Sequence, residues 1–170
     1  MPNIKPDRTS GSIRFASLGD IAPETVIAHM SDARMSVHMP LLDGPWGQDD
    51  YHRFMAAKDA YWQRDGLGHW AILVDESYVG WGGFQKEGDD WDFGLVLRPE
   101  CFGLGLAITR KALNVACNDP RIEYVTFLLP PTRKHLRGLL RLGACFVGKV
   151  SHDGEVFLKY RLDTPLPIVR

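Results

Sequence analysis

The chain has 170 residues, 45% of them hydrophobic, which is enough for one domain with a sizeable core and short for two. Its 20 Lys and Arg against 21 Asp and Glu leave a formal net charge of −1, so it lacks the broad basic composition that nucleic acid or an anionic membrane favours, and neither is an expected partner. No charged segment followed by an apolar run opens the sequence, no apolar run reaches transmembrane length, and Cys101, Cys117 and Cys145 form no CxxC pair; a cytoplasmic protein with reduced thiols is the expectation.

Residues 1–12 are polar and rich in Pro, Ser and Gly, and are expected to form a flexible N-terminal tail, leaving 13–170 as a single domain. Residues 13–18 read as a first strand, and Pro23-Glu24-Thr25 as the start of a helix running through Ile27 and Met30. The segment from Met39 to Gly47 contains two prolines, two glycines and Trp46, which predicts an ordered loop. Gln48-Asp49-Asp50 then opens a helix with Tyr51, Phe54, Met55, Tyr61 and Trp62 near one face. Three apolar runs, 70–74, 78–84 and 91–97, are separated by turn-forming residues and predict an antiparallel meander. A helix over about 105–117 ends at Asn118-Asp119-Pro120, and 122–129 forms the next strand. Thr132 is placed to cap a helix carrying Leu136, Leu139 and Leu140, which Gly143 ends. Residues 144–150 and 156–162 flank Asp153-Gly154, a hairpin signal. The order predicts an α/β (α+β) domain with a mixed, mostly antiparallel sheet and helices on both faces.

The stretch from Leu95 to Ala107, LVLRPECFGLGLA, takes an apolar strand through two glycines into a helix. Gly103 and Gly105 are expected to take positive φ and let the backbone approach a ligand, while the helix aims its N–H groups and dipole at an anion. If pairing is broken locally, the Leu95-Val96-Leu97 backbone can also pair with the amides of an extended ligand. The nucleoside-triphosphate loop is excluded because Leu106 and Ala107, not Lys and Ser or Thr, follow Gly105. A dinucleotide fingerprint fits poorly, since Ile108 stands where a third glycine or alanine belongs. A flavin or other nucleotide remains an alternative occupant.

This stretch, with Trp91-Asp92-Phe93-Gly94 before it, resembles motif A of the GNAT N-acetyltransferase superfamily, and within it the RimJ/RimL-like (ribosomal-protein N-terminal acetyltransferase-like) branch. Phe102 stands where that branch usually has Trp and the wider family Arg or Gln. The resemblance implies a single-domain GNAT-like fold and acetyl-CoA as co-substrate, bound by Leu95, Val96, Leu97, Phe102, Gly103, Leu104, Gly105, Leu106 and Ala107, with Thr132 and His135 as further contacts. It also implies acetyl transfer to a primary amine, either a protein N-terminus or a small molecule, by direct attack in a ternary complex. Such chemistry needs two substrates positioned, a proton removed and a developing oxyanion stabilised, for which a strand N–H near Leu95 or Leu97 is the natural donor.

Asp92 occupies the position where the branch commonly carries an acidic residue, and is the candidate base; strand alternation alone would also allow a solvated carboxylate there. The family's tyrosine acid is missing, its turn holding Leu139 and Leu140, which leaves His135 as the candidate acid and keeps a non-catalytic acyl-CoA sensor or scaffold as the alternative reading. His38, Trp46 and Trp81 are the implied acceptor-site residues, with a packed loop and core aromatics as the competing account. His52, His69 and His152 show no metal-ligand spacing, so no metal is expected. Members of the branch occur as monomers and as homodimers, and either fits.

Overall fold

The computed structural model describes residues 11–37, 39, 41–134 and 136–164. Seven strands, β1 (Ile13–Ala16), β2 (His69–Val74), β3 (Ser77–Glu87), β4 (Asp90–Leu97), β5 (Tyr124–Leu129), β6 (Cys145–His152) and β7 (Glu155–Asp163), form one sheet in the order β1-β2-β3-β4-β5-β7-β6. Every neighbouring pair is antiparallel except β4 and β5. Four α-helices, α1 (Pro23–Ser31), α2 (Gln48–Asp65), α3 (Gly105–Cys117) and α4 (Arg137–Arg141), complete the fold.

Strand alternation sorts the core into two layers. Ala71, Leu73, Tyr78 and Trp81 point to one face and are covered by Val26 and Met30 of α1 and Tyr51 of α2. Phe84, Trp91, Phe93, Val125 and Phe127 point to the other, against Ala112, Leu113 and Ala116 of α3. The helices therefore lie on both faces, as the sequence predicts. Pro23 begins α1 with φ already fixed for a helix, and Gly66, at φ 67°, ends α2 in the left-handed region. In β3, a Cβ at Gly82 would collide with the carbonyl oxygen of Gly94 and lie 2.9 Å from Leu95 Cα, so glycine there is what lets β4 approach.

Three boundaries differ from the sequence reading. The first strand ends at Ala16, because the Ser17 hydroxyl accepts the Gly19 N–H at 3.3 Å and starts a 3-10 turn. Another 3-10 turn, Pro99–Leu104, intervenes between β4 and α3. Thr132 caps no helix: Pro130–Arg133 closes a turn, with the Arg133 N–H on the Pro130 carbonyl at 3.0 Å, and α4 starts only at Arg137 with Leu136 at its N-cap. The expected tail lies outside the described residues except for Gly11 and Ser12, and Ser12 N–H is held by the Asp75 carboxylate at 2.9 Å. Among the described residues no helix is long and apolar enough to cross a membrane.

Candidate active site

The sheet opens at its centre. Parallel pairing between β4 and β5 is confined to Trp91 with Val125 and Asp92 with Thr126, whereas β4 stays paired to β3 along its whole length. Beyond Asp92 the two parallel strands part. The Arg98 N–H bonds to the Val79 carbonyl at 2.8 Å, on the β3 side, and main-chain groups alternate along a strand. The N–H and C=O groups of Leu95 and Leu97 therefore face the opening. These are strong hydrogen-bonding groups with no strand opposite them among the described residues, the local break in pairing that an extended ligand can fill.

At the end of β4 the chain passes through the 3-10 turn into α3, whose first turn lies at the mouth of the opening. Gly103 and Gly105 do not take positive φ, contrary to expectation: neither is in the left-handed region, and Gly105 is helical at φ −57°, ψ −44°. Their importance is the missing side chain. Among the described residues, a Cβ on Gly103 would meet nothing within 4 Å, and one on Gly105 only the Leu97 and Leu95 methyls at 3.9 and 4.0 Å. The protein's own packing does not require glycine at either position, and the cleared space sits before the N-terminus of a 13-residue helix. Phe102 and Leu106 flank it, 41% and 39% exposed.

The turn is pinned from outside. Arg34 holds Asp32 through two nitrogens, Nε to Oδ1 at 3.0 Å and Nη2 to Oδ2 at 2.6 Å, and also pairs with Glu100, tying residues 66 apart in sequence. Next to Glu100, burial pushes the Cys101 thiol above its ordinary range, which disfavours the thiolate.

Asp92 sits at the vertex, in the last β4–β5 pair before the strands separate. Burial raises its carboxyl to about 7; the Thr126 hydroxyl, donating at 2.9 Å, opposes the shift, and Glu87 and Asp90 add to it. A carboxylate in that range takes a proton at neutral pH far better than an ordinary aspartate. Thr126 was not legible as part of a site, because only the parallel pairing brings it to Asp92.

The side of the β2–β4 sheet that Asp92 faces is covered by α2 and carries aromatic and polar side chains. Phe54, Lys58 and Tyr61 follow one another down α2 at helical spacing. Phe54 packs on Trp81 at 5.0 Å and on Trp46 at 5.2 Å between ring centroids, and Tyr61 donates to Glu87 at 2.6 Å. The Trp46 main-chain N–H donates to Ser31 Oγ at 2.9 Å. Trp46 and Trp81 thus pack on the same residue, Phe54; Trp81 is buried, its indole N–H on Met30 Sδ at 3.3 Å. Lys58 Nζ stands 4.7 Å over the Trp81 ring, and burial lowers its pKa to about 8. The His69 ring lies 5.4 Å from Trp81 and within van der Waals reach of a Cβ built on Gly94. Sequence reasoning missed Lys58 and His69 here. The available signals were a lysine inside the apolar stripe of α2 and a histidine in phase with Ala71 and Leu73.

Thr132 is exposed in the turn after β5, while His38 and His135 lie outside the described residues. Among the described residues no three His, Cys, Asp or Glu side chains are arranged to hold a metal ion.

Residues 13–141 match the sequence model of the acetyltransferase (GNAT) domain. No curated protein sequence matches the chain. Among solved structures, an acetyltransferase from Agrobacterium tumefaciens superposes with a TM-score of 0.69 at 19% identity, covering 93% of this chain and 94% of its own. An aminoglycoside acetyltransferase in complex with coenzyme A gives 0.71 at 13% identity, covering 91% and 95%. Spermidine N-acetyltransferase from Vibrio cholerae, in complex with CoA and spermine, gives 0.67 at 8%, covering 90% and 95%. At these identities the likeness is one of fold.

Proposed function

This chain belongs to the acetyltransferase (GNAT) domain family, and we propose that it transfers an acetyl group from acetyl-CoA to a primary amine by direct attack while both substrates are bound. The observation that carries this reading is the opening beyond Asp92, where the main-chain groups of Leu95 and Leu97 face a gap beside a carboxyl raised to about 7. Acetyl-CoA supplies the activated acyl group, a thioester whose sulfur is the leaving atom.

The residues present fit that co-substrate. An extended amide-bearing arm matches the free edge at Leu95, Val96 and Leu97, and the side-chain-free space at Gly103 and Gly105 accepts a diphosphate against the N–H groups of Leu104, Leu106 and Ala107. Phe102 and Thr132 are the adjacent surface contacts. A Leu95 or Leu97 N–H faces the position where negative charge develops as the amine attacks. Asp92 takes the ammonium proton, directly or through water; an α-amino group near ~8 gives it up to a base near neutrality more easily than a lysine near ~10.4. A departing thiolate has a pKa near ~8.5 and can draw its proton from water, so a dedicated acid is not required, although His135 remains the assigned candidate. The raised Cys101 thiol fits direct transfer better than a cysteine-bound intermediate.

Within the family the Asp92 strand and Pro99-Glu100 support the RimJ/RimL-like branch, with a protein N-terminus or a small amine as acceptor and His38, Trp46 and Trp81 around it. The exposed Phe146, Val147 and Val156 at the β6–β7 edge support a homodimer. The second reading, a non-catalytic acyl-CoA sensor, is favoured by the absence of tyrosine from α4.

A thiol-release assay with acetyl-CoA and a panel of primary amines tests the choice. Release that depends on an added amine, with the acetylated amine found by mass spectrometry, is the expected result. Tight acetyl-CoA binding with no acetylated product across the panel would establish the sensor instead.

A further inference from the structure

The face of the sheet under α2 holds more polar chemistry than its packing satisfies. His69 is 6% exposed, and its Nδ1 has no hydrogen-bond partner among the described residues. The Gln85 amide nitrogen is likewise buried and unpartnered, and Gln85 stands opposite Asp92 in the β3–β4 register. Lys58 approaches aromatic faces at 4.7 and 5.4 Å, and among the described residues no carboxylate lies within ion-pair distance of it. Glu87, which acts on Lys58 through its field, is engaged by the Tyr61 hydroxyl. An uncompensated ammonium and two orphaned polar groups are costly in a folded protein unless a ligand completes them.

All three lie on the face that Asp92 shares. Lys58 stands over the ring of Trp81, whose register partner is Val96; the His69 ring lies against Gly94; and Gln85 is the register partner of Asp92. Gly94 is two positions from Val96, roughly 7 Å along the strand. That is the span of a short molecule with a charged group at each end.

Building on the acetyltransferase reading above, we propose that the acceptor is a small primary amine that also carries an anionic group, carboxylate or phosphate, and that Lys58 is the residue that selects it. The anion pairs with Lys58 over Trp81, the amine stands at Gly94 and passes its proton to Asp92 through water, His69 hydrogen-bonds the short chain, and Gln85, opposite Asp92, hydrogen-bonds the water. A polycationic amine would place its remaining charges against Lys58 and be disfavoured.

The test compares matched amines at pH 7: β-alanine with β-alaninamide, phenylalanine with phenylalaninamide, 2-aminoethyl phosphate with ethanolamine, and spermidine as a polycation. The carboxylate and phosphate pairs separate the two anion chemistries. The expected result is a kcat/KM at least about tenfold higher for an anionic member than for its neutral match, a preference lost in Lys58→Met and recovered in Lys58→Arg. Protection by CoA against thermal unfolding is read in each variant to establish a folded, CoA-competent protein. Spermidine as the best acceptor, or an anion preference that survives Lys58→Met, overturns the inference while leaving acetyl transfer standing. Failure of CoA to protect the wild-type chain overturns both.

Discussion

Asp92 is the proposed base, and its environment makes a signed prediction. Burial raises its carboxyl from an ordinary value near 3.8 to about 7, so between those pH values the folded chain keeps a proton that the unfolded chain releases. The folded state therefore loses stability as pH rises through that window and loses no more above it. Asp92→Asn removes the effect, and the variant should exceed the wild type in stability at pH 8 by on the order of 2 kcal/mol, with the two converging near pH 4, as urea unfolding would read. The same change should lower kcat/KM by about 10²-fold and abolish the rise in rate through pH 7. A variant with wild-type rate and pH profile would reduce Asp92 to a structural partner of Thr126. The residue was visible in the sequence as a carboxylate on an apolar strand. Its burial and the hydroxyl 2.9 Å away were not, because the hydroxyl comes from a residue 34 positions on and burial from the packing of the whole sheet.

Among the elements, the β4–turn–α3 unit was the most legible, since an apolar run, a proline, two glycines and a periodic helix lie consecutively in the chain. The reason for its glycines was not. They were expected to adopt left-handed backbone; instead the backbone is ordinary and the missing Cβ keeps the helix start open. This separates folding from binding experimentally. Gly105→Ala adds a Cβ that meets only methyl groups near 4 Å and replaces a poor helix former, so the apo protein should be stabilised by about 0.5 kcal/mol. Its affinity for CoA, measured by titration calorimetry, should fall by about tenfold or more as the methyl enters the cleared space. Equal affinity in the two proteins would remove the loop from the site. The last helix shows the converse error: Thr132 has the residue type of a cap, but Pro130 and Pro131 commit the chain to a turn, and the polar stretch that follows delays α4 to Arg137.

For the whole molecule, the meander, the crossover through α3 and the closing hairpin could be read locally, and the sheet with helices on both faces followed from them. What no local pattern encodes is where a sheet fails to close. The separation of β4 from β5 after one short stretch of pairing depends on contacts between segments some 30 residues apart, as does the convergence of Lys58, His69, Gln85 and Asp92 from α2, β2, β3 and β4. The central claim is that this opening, and not another surface, receives the co-substrate through main-chain groups. A crystal structure with CoA bound tests it most directly. The predicted result is the extended arm hydrogen-bonded along Leu95–Leu97 with the diphosphate at residues 103–107; CoA lodged elsewhere while the opening beside Asp92 stays empty would contradict it.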